Sequence, residues 1–576
     1  MRRLQWLTAG ALLLAVIALF LEQEPAPGAL VKLLTTIVDY VLVTVTVVEV
    51  VLDYLRAPVR RNFLRANAVP FGFAILFIIL FAYNKVATAS GGEFVHRGYF
   101  SVLIVRNLFL VLKVFTRLRR LSNFMREVVT HPAQTIVLSF LLVIVVGTLA
   151  LMTPLAAAGT TRLGFLDSLF TATSAVCVTG LIVVDTATAF SPWGQAIIAV
   201  LIQIGGLGIM ILSYFTLFVF RRSVSVEDKV LLSYMLSERD MTAIRSSVSR
   251  IIVITLCVEA AGTILLFLGF GSADLTISRR FGFAAFHAVS AFCNAGFALF
   301  SDSLEQFSGN VIVNTTVVLL IIAGGLSFAV ITDVARSWRI RLKGKLKGQG
   351  AGQAVLRVNT RAVLAGTGIL LLSATLIIYA LEHGNTMAGF GLGRQYLAAF
   401  FQAVTLRTAG FNTINFSNLA ATTYLVMIFY MFIGGAAGST AGGIKVNTAA
   451  VIWSYVQSVR RGGEKPLLFH HEVSNSQVMN ALVVLLFGLL AVMTGTLILS
   501  ITEKADLLSY LFETVSAFGT VGLSAGLTPH LSAPGRVVII GLMFVGRVGP
   551  LTILSAWSVS ARRRTVDYPS AEILVG

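Results

Sequence analysis

The stretch TATSAVCVTGL, residues 171–181, decides the fold because it returns three more times. Aligned on its glycine, Gly180, the later copies are HAVSAFCNAGF at 287–297, FQAVTLRTAGF at 401–411 and ETVSAFGTVGL at 513–523, with Gly296, Gly410 and Gly522 in register. The glycines follow one another at intervals of 116, 114 and 112 residues, and each has a phenylalanine ten residues earlier, at Phe170, Phe286, Phe400 and Phe512. A near-constant period marks an internal repeat. Four equivalent elements in an apolar chain imply an arrangement about one axis, and an axis through a membrane is a pathway.

Composition points the same way. Hydrophobic residues make up 56% of the 576 and charged residues 12%, whereas soluble domains are about half apolar and a quarter charged. The chain is therefore an integral membrane protein. Its 44 basic and 26 acidic residues give a net charge of +18. The basic residues gather in short segments between apolar runs, as positive-inside topology requires, and form no domain suited to nucleic acid. Cys177, Cys257 and Cys293, an odd number in or beside apolar runs, make neither a disulfide framework nor a metal set.

Two long apolar runs flank each copy: 134–154 and 193–220, 248–270 and 311–334, 362–381 and 424–455, 478–501 and 537–559. Each reaches the roughly 20 residues of a membrane helix. Between the runs of a pair lies a segment of about a dozen apolar residues, such as 165–176 or 507–518, which is too short to span and must enter and return. Non-helical backbone at membrane depth survives only in protein or beside water, so the glycine stretch after each short helix should face a pore. The expected fold is an all-α integral membrane protein with four membrane-pore-membrane repeats around a central pore. Its units are 131–222, 223–347, 348–461 and 462–576, the last with a short cytosolic tail. Arg221-Arg222, RSWRIRLKGKLKG (336–348), Arg460-Arg461 and Arg562-Arg563-Arg564 follow the second helices and put those ends in the cytoplasm.

Residues 1–130 stand outside the repeat, with apolar runs for about four further spans and basic stretches on alternate sides. This N-terminal extension leaves both chain termini cytoplasmic. The first run could instead be a cleaved signal peptide, although an apolar core of about sixteen residues favours a retained span. Arg106, Lys113, Arg117 and Arg120 fall near one helical face and suit a basic inner-leaflet helix better than a voltage sensor.

A cation stripped of water needs oxygen ligands, and a fast pore supplies them as rings of backbone carbonyls. The candidate filter is Val178-Thr179-Gly180, Asn294-Ala295-Gly296, Thr408-Ala409-Gly410 and Thr520-Val521-Gly522, all uncharged. Close helix packing is the usual meaning of one membrane glycine, but four at one period favour a filter, with each glycine freeing the backbone to turn its carbonyls inward. Cys177 and Cys293 directly precede two triplets and are expected beside an inner cavity. A second periodic feature, Gly205-Gly206, Gly324-Gly325 and Gly434-Gly435, follows the filter glycines by 25, 28 and 24 residues, and Gly546-Arg547 takes its place in the fourth copy. A charge near mid-membrane is expensive and functional by default, so Arg547 is expected to be an electrostatic barrier or a latch on a gate. The gate itself is read from GGAAGSTAGGIK, 434–445, where Gly434, Gly435, Gly438, Ser439, Thr440, Gly442, Gly443 and Lys445 interrupt an apolar helix. Such a stretch cannot be a rigid helix, and its freed polar groups must face a cavity or bond locally. His470-His471, without further ligands, reads as solvated.

These motifs resemble those of the Trk/Ktr/HKT superfamily of potassium transport proteins, of the TrkH/KtrB membrane-subunit type. The resemblance is carried by TATSAVCVTGL, SAFCNAGFAL (290–299), LRTAGFNT (406–413), SAFGTVGLSAG (516–526), MFIGGAAGSTAGGIK (431–445) and GRVGP (546–550), and covers about residues 132–565. It implies potassium uptake across the inner (plasma) membrane, with K+ at the filter as the only metal ion, a gating loop at 434–445 and Arg547 beneath the filter. It further implies a homodimer in membrane lipid, seated on a cytosolic TrkA/KtrA-like nucleotide-binding ring made by a separate protein that would carry ATP/ADP or NAD. No cofactor is expected in this chain. The four-span extension departs from the family pattern of none or two extra spans. The alternative is the potassium-translocating subunit of a P-type ATPase complex, which shares the fourfold architecture. An enzyme would need an intramembrane acid, base, nucleophile or metal set, where these loops offer backbone oxygen and one isolated arginine.

Overall fold

In the first unit, α1 (Pro132–Leu151) leads to a short helix, α2 (Phe165–Val176), and then to α3 (Pro192–Phe220). The second unit repeats that order as α4 (Ile244–Gly269), α5 (Ile277–Cys293) and α6 (Val311–Gly325), followed by α7 (Phe328–Leu346). The third consists of α8 (Val358–Glu382), α9 (Leu392–Thr405), α10 (Ala421–Phe432) and α11 (Val446–Arg460). The fourth consists of α12 (Asn475–Thr502), α13 (Leu507–Gly519), α14 (Ala533–Val548) and α15 (Pro550–Trp557). This computed structural model describes residues 132–159, 163–220, 244–273, 275–346, 355–463 and 465–557. The expected N-terminal extension with Arg106, Lys113, Arg117 and Arg120, the linker basic pair Arg221-Arg222 and the Arg562-Arg563-Arg564 tail lie outside them.

Among the described residues, three helices are long and apolar enough to cross a membrane: Ser249–Gly269, Val358–Glu382 and Asn475–Thr502, the first helices of units two to four. All four second helices break, the third where the sequence suggests it and the other three where continuous spans are expected. In α3 the break is Gly208, at φ 66° and ψ −157°. Between α6 and α7 the axis turns by 102°, and between α14 and α15 by 93° at Gly549-Pro550. In the third unit the break is the whole segment from Ile433 to Lys445, which returns on itself so that Ile433 and Ile444 pair as a parallel bridge. Sequence hydropathy cannot see such breaks, since they interrupt direction without interrupting apolarity.

The units close on one another. Each second helix packs on the short helix of the following unit: α3 on α5, α6 on α9, α10 on α13, and α14 back on α2. Lipid supplies no hydrophobic drive for helix association, so small residues that permit close approach carry it. Gly205, Gly324 and Gly546 sit where an added β-carbon would meet the carbonyl oxygens of Val176, Phe292 and Phe518, four residues before the filter glycine in each case. The recurring glycine of the second helix is thus a seat for the C-terminal end of its own short helix. Phe170, Phe286 and Phe512 are buried on the short helices.

The linker between α11 and α12 carries a hairpin of β1 (Leu467–Leu468) and β2 (His471–Glu472). His470 and His471 are exposed on it, and no cluster of metal-ligating side chains occurs among the described residues.

Candidate ion pathway

Each short helix ends by handing its chain to the candidate filter through the same backbone device. Val178, Asn294, Thr408 and Thr520, the first residue of each triplet, have φ of 56°, 60°, 71° and 51°, and the glycines that close the triplets have φ of 93°, 71°, 80° and 89°. Positive φ is rare for β-branched residues, so Val178, Thr408 and Thr520 hold strain of the kind that persists only where surrounding structure imposes it. The glycines follow from the sequence; the left-handed first residues do not, since no side chain there announces them.

The amides between these two points are turned away from the centre. Thr179, Ala295 and Val521 donate their N–H to the carbonyls of Ser174, Ser290 and Ser516 at 2.8, 2.7 and 2.8 Å. The Ser174 and Ser516 hydroxyls accept from Gly180 and Gly522 at 3.0 and 3.2 Å, and Ser290 Oγ donates to the Phe297 carbonyl at 2.8 Å. In the third copy Val404 replaces the serine, and Ala409 donates to Thr405 at 3.0 Å. Because a peptide's N–H and C=O point in opposite directions, the carbonyls of the triplets turn from their own helix toward the other strands. A β-carbon added at Gly180 would lie 2.4 Å from the Ala295 oxygen, at Gly296 2.8 Å from Ala409 O, at Gly410 2.7 Å from Val521 O, and at Gly522 2.1 Å from Thr179 O. That sequence of contacts runs from unit one through four and back to one. The four strands form a closed ring of carbonyl oxygens, toward which the negative C-terminal ends of α2, α5, α9 and α13 point. Thr179, Thr408 and Thr520 are fully buried, and their hydroxyls have no hydrogen-bond partner.

The segment from Gly434 to Lys445 lies beneath this ring and touches three units. Gly434 N donates to Ile444 O at 2.8 Å and Val446 N to Gly435 O at 3.0 Å, closing the segment on itself. Ala436 N and Thr440 N donate to the carbonyls of Gly325 and Gly324 at 3.0 and 3.2 Å, so the broken end of α6 holds it. Added β-carbons at Gly442 and Gly443 would meet Thr520 and Gly519 of the fourth filter strand, and one at Gly434 would lie 3.2 Å from Thr408. Gly438 and Gly443 have φ of 77° and 63°. Ser439 Oγ donates to Ala436 O at 2.7 Å and Lys445 Nζ to Ala441 O within the segment, while Thr440 Oγ1 reaches Phe292 O of the second unit at 3.5 Å.

Arg547 joins this segment to the rest. Its guanidinium, buried in the last turn of α14, donates to Thr440 O of the segment and to Gly205 O of the first unit. A buried cation without a carboxylate is tolerable there because carbonyl-bearing helix ends surround it. Arg407, in the residue before the third triplet, is a second buried cation; its Nη2 lies 3.5 Å from Gly434 O and its Nε has no partner. The repeat does not announce Arg407, since the aligned positions are Cys177, Cys293 and Gly519, although an arginine in an intramembrane loop is itself a signal. Cys177 and Cys293 are both fully buried, and the Cys293 thiol faces Gln203 and Glu259, 3.9 Å from an oxygen of each. Glu513, at the outer half of α13, is also fully buried and accepts from Ala525 N at 3.1 Å, Thr528 Oγ1 at 2.6 Å and Ser524 Oγ, pinning the outer end of the fourth strand.

Residues 102–563 match the TrkH family of cation transport proteins. The chain is 38% identical over 444 residues to Ktr system potassium uptake protein B of Vibrio alginolyticus, covering 77% of this chain and 94% of that one. It is 34% identical over 453 residues to the protein of the same name from Bacillus subtilis, with 77% and 97% covered. It is also 33% identical over 452 residues to the potassium/sodium uptake protein NtpJ of Enterococcus hirae, again with 77% and 97% covered. The solved structure of the potassium transporter TrkH from Vibrio parahaemolyticus shares the fold, at a TM-score of 0.59 and 18% identity over 85% of this chain and 97% of that one. Repeat, ring and relatives converge, and the chain belongs to the TrkH family of cation transport proteins.

Proposed function

We propose that this chain takes up potassium through the ring formed by Val178-Thr179-Gly180, Asn294-Ala295-Gly296, Thr408-Ala409-Gly410 and Thr520-Val521-Gly522. The observation that carries the proposal is the closed order of contacts in which each filter glycine meets the middle carbonyl of the next strand. Carbonyl rings replace a cation's hydration shell, and the unpartnered threonine hydroxyls supply further oxygens along the same strands. The relatives' own designations as potassium uptake proteins support potassium as the cargo. Residues 434–445 act as the gate, because they lie under the ring and are held by a few main-chain bonds. Arg547 is the latch: its two bonds tie the gate to the first unit. The P-type ATPase subunit is not favoured, since the family match is to TrkH. On this account the four repeats belong to one subunit of a homodimer in the inner membrane. A separate cytosolic ring that binds ATP/ADP or NAD regulates it.

Gly180→Ser tests the filter. At φ 93° and 2.4 Å from Ala295 O, a side chain must displace a ring carbonyl. Uptake of labelled rubidium and sodium by cells expressing the variant should show sodium admitted and the rubidium preference reduced. An unchanged preference at normal expression removes Gly180 from the filter.

A further inference from the structure

Helix α7 has no counterpart in the transport scheme, yet it begins three residues beyond Gly325, whose carbonyl with that of Gly324 holds the gate segment. It leaves α6 at 102°, close to a right angle, instead of continuing along the α6 axis. One side is buried through Phe328, Val330, Asp333 and Ser337, and Asp333 fastens it to the start of α8 by accepting from Thr360 Oγ1 at 2.7 Å and Arg357 N at 3.0 Å. On the open side, Val334, Trp338 and Leu342 recur at four-residue spacing with exposures of 38, 67 and 45%. Arginines border that stripe, Arg339 on one edge and Arg341 on the other, while Arg336, which pairs with Asp333 at 3.1 Å, lies on the opposite face. Arg339 and Arg341 are exposed and make no ion pair among the described residues. The sequence RSWRIRLKGKLKG adds Lys343, Lys345 and Lys347, so six cations fall within residues 336–347 without one acid.

We infer that α7 lies along the inner membrane–water boundary and binds anionic phospholipid headgroups through Arg339 and Arg341, with Val334, Trp338 and Leu342 seated in the acyl region beside them. A tryptophan-bearing apolar stripe edged by arginine is the pattern of an interfacial helix, and the negative inner leaflet attracts each such cation. A soluble acidic protein would use the charges but would leave an exposed Trp-Val-Leu stripe without a counterpart, whereas a lipid surface uses both. Bound lipid then fixes the turn at Leu326-Ser327, and through Gly324 and Gly325 the anchor of the gate segment. That last step rests on the gate reading above; the lipid site does not.

The test uses the full chain in nanodiscs of phosphatidylcholine with or without phosphatidylglycerol. Native mass spectrometry should find phosphatidylglycerol retained in preference to phosphatidylcholine. Arg339→Gln/Arg341→Gln should lower that preference on the order of tenfold, and the Lys/Lys variant should keep most of it. Acyl-brominated lipid should quench a fluorescence component that Trp338→Phe removes. Equal retention by wild type and the Gln/Gln variant overturns the site, as does a Trp338 signal untouched by brominated lipid but shielded by a soluble protein. Neither readout involves transport, so a failed ion pathway and a failed lipid site are told apart.

Discussion

Arg547 reaches two carbonyls at once, Thr440 O and Gly205 O, from a position where three sister units have glycine. Each charge-assisted bond of this kind contributes about 1.5–3 kcal/mol, so removing both frees the gate segment. Arg547→Gln should raise rubidium uptake by roughly tenfold or more at unchanged ion preference. Arg547→Lys keeps the charge but replaces a planar fork with one compact donor. Latch action therefore predicts that lysine raises uptake nearly as far as glutamine. A wild-type rate in the lysine variant would give the role to charge alone, as an electrostatic barrier. Cys177 and Cys293 are both fully buried, the latter against Gln203 and Glu259. Small thiol-reactive cations applied during flux should therefore leave the wild type unaffected; block that Cys177→Ser/Cys293→Ser abolishes would place these thiols beside the cavity. The positions of Gly180, Gly296, Gly410 and Gly522 were legible in the sequence because only glycine combines positive φ with a neighbouring carbonyl so close. Val178, Thr408 and Thr520 were not, because their left-handed backbone is imposed by the helix ends and the ring, with no trace in residue type.

Among the elements, the break in the third unit was readable from five glycines with Ser439 and Thr440, whereas the breaks at Gly208, Leu326-Ser327 and Gly549 were not. A lone glycine or an uninterrupted apolar run is compatible with a straight helix, and only tertiary contacts decide. The GRVGP stretch held the clearest overlooked hint, since proline after glycine ends helices. Residues 434–445, the proposed gate, are held mainly by main-chain bonds to Gly324 and Gly325 and by Arg547. Deleting residues 438–442 should increase uptake and weaken control by a cytosolic partner while sparing ion preference, as measured by paired rubidium and sodium flux in proteoliposomes. Lower flux with altered preference in a variant that still folds would move the segment from gate to filter.

At the scale of the molecule, the ring of units is tied at its outer side as well as at the filter. Ser301 donates to Asp185 at 2.6 Å between units one and two, and Asn412 to Glu305 at 2.7 Å between three and two. Tyr424 meets Phe512 edge-on at 5.1 Å between three and four, and Arg536 pairs with Asp167 between four and one. The last pair is about a quarter exposed and should contribute about 1 kcal/mol or less. Arg536→Gln should thus lower the unfolding temperature of the solubilised chain slightly without moving ion preference; a changed preference would show that the pair shapes the filter. The repeat made the cyclic arrangement legible from sequence, because period and glycine register are properties of the whole chain. The central claim is that four strands share one carbonyl-lined axis. Anomalous diffraction from crystals of the chain grown in rubidium tests it most directly. The account predicts rubidium density on the axis between the carbonyls of Thr179, Ala295, Ala409 and Val521, lost when sodium replaces rubidium. Density away from those four strands, with the axis empty in rubidium, would contradict it.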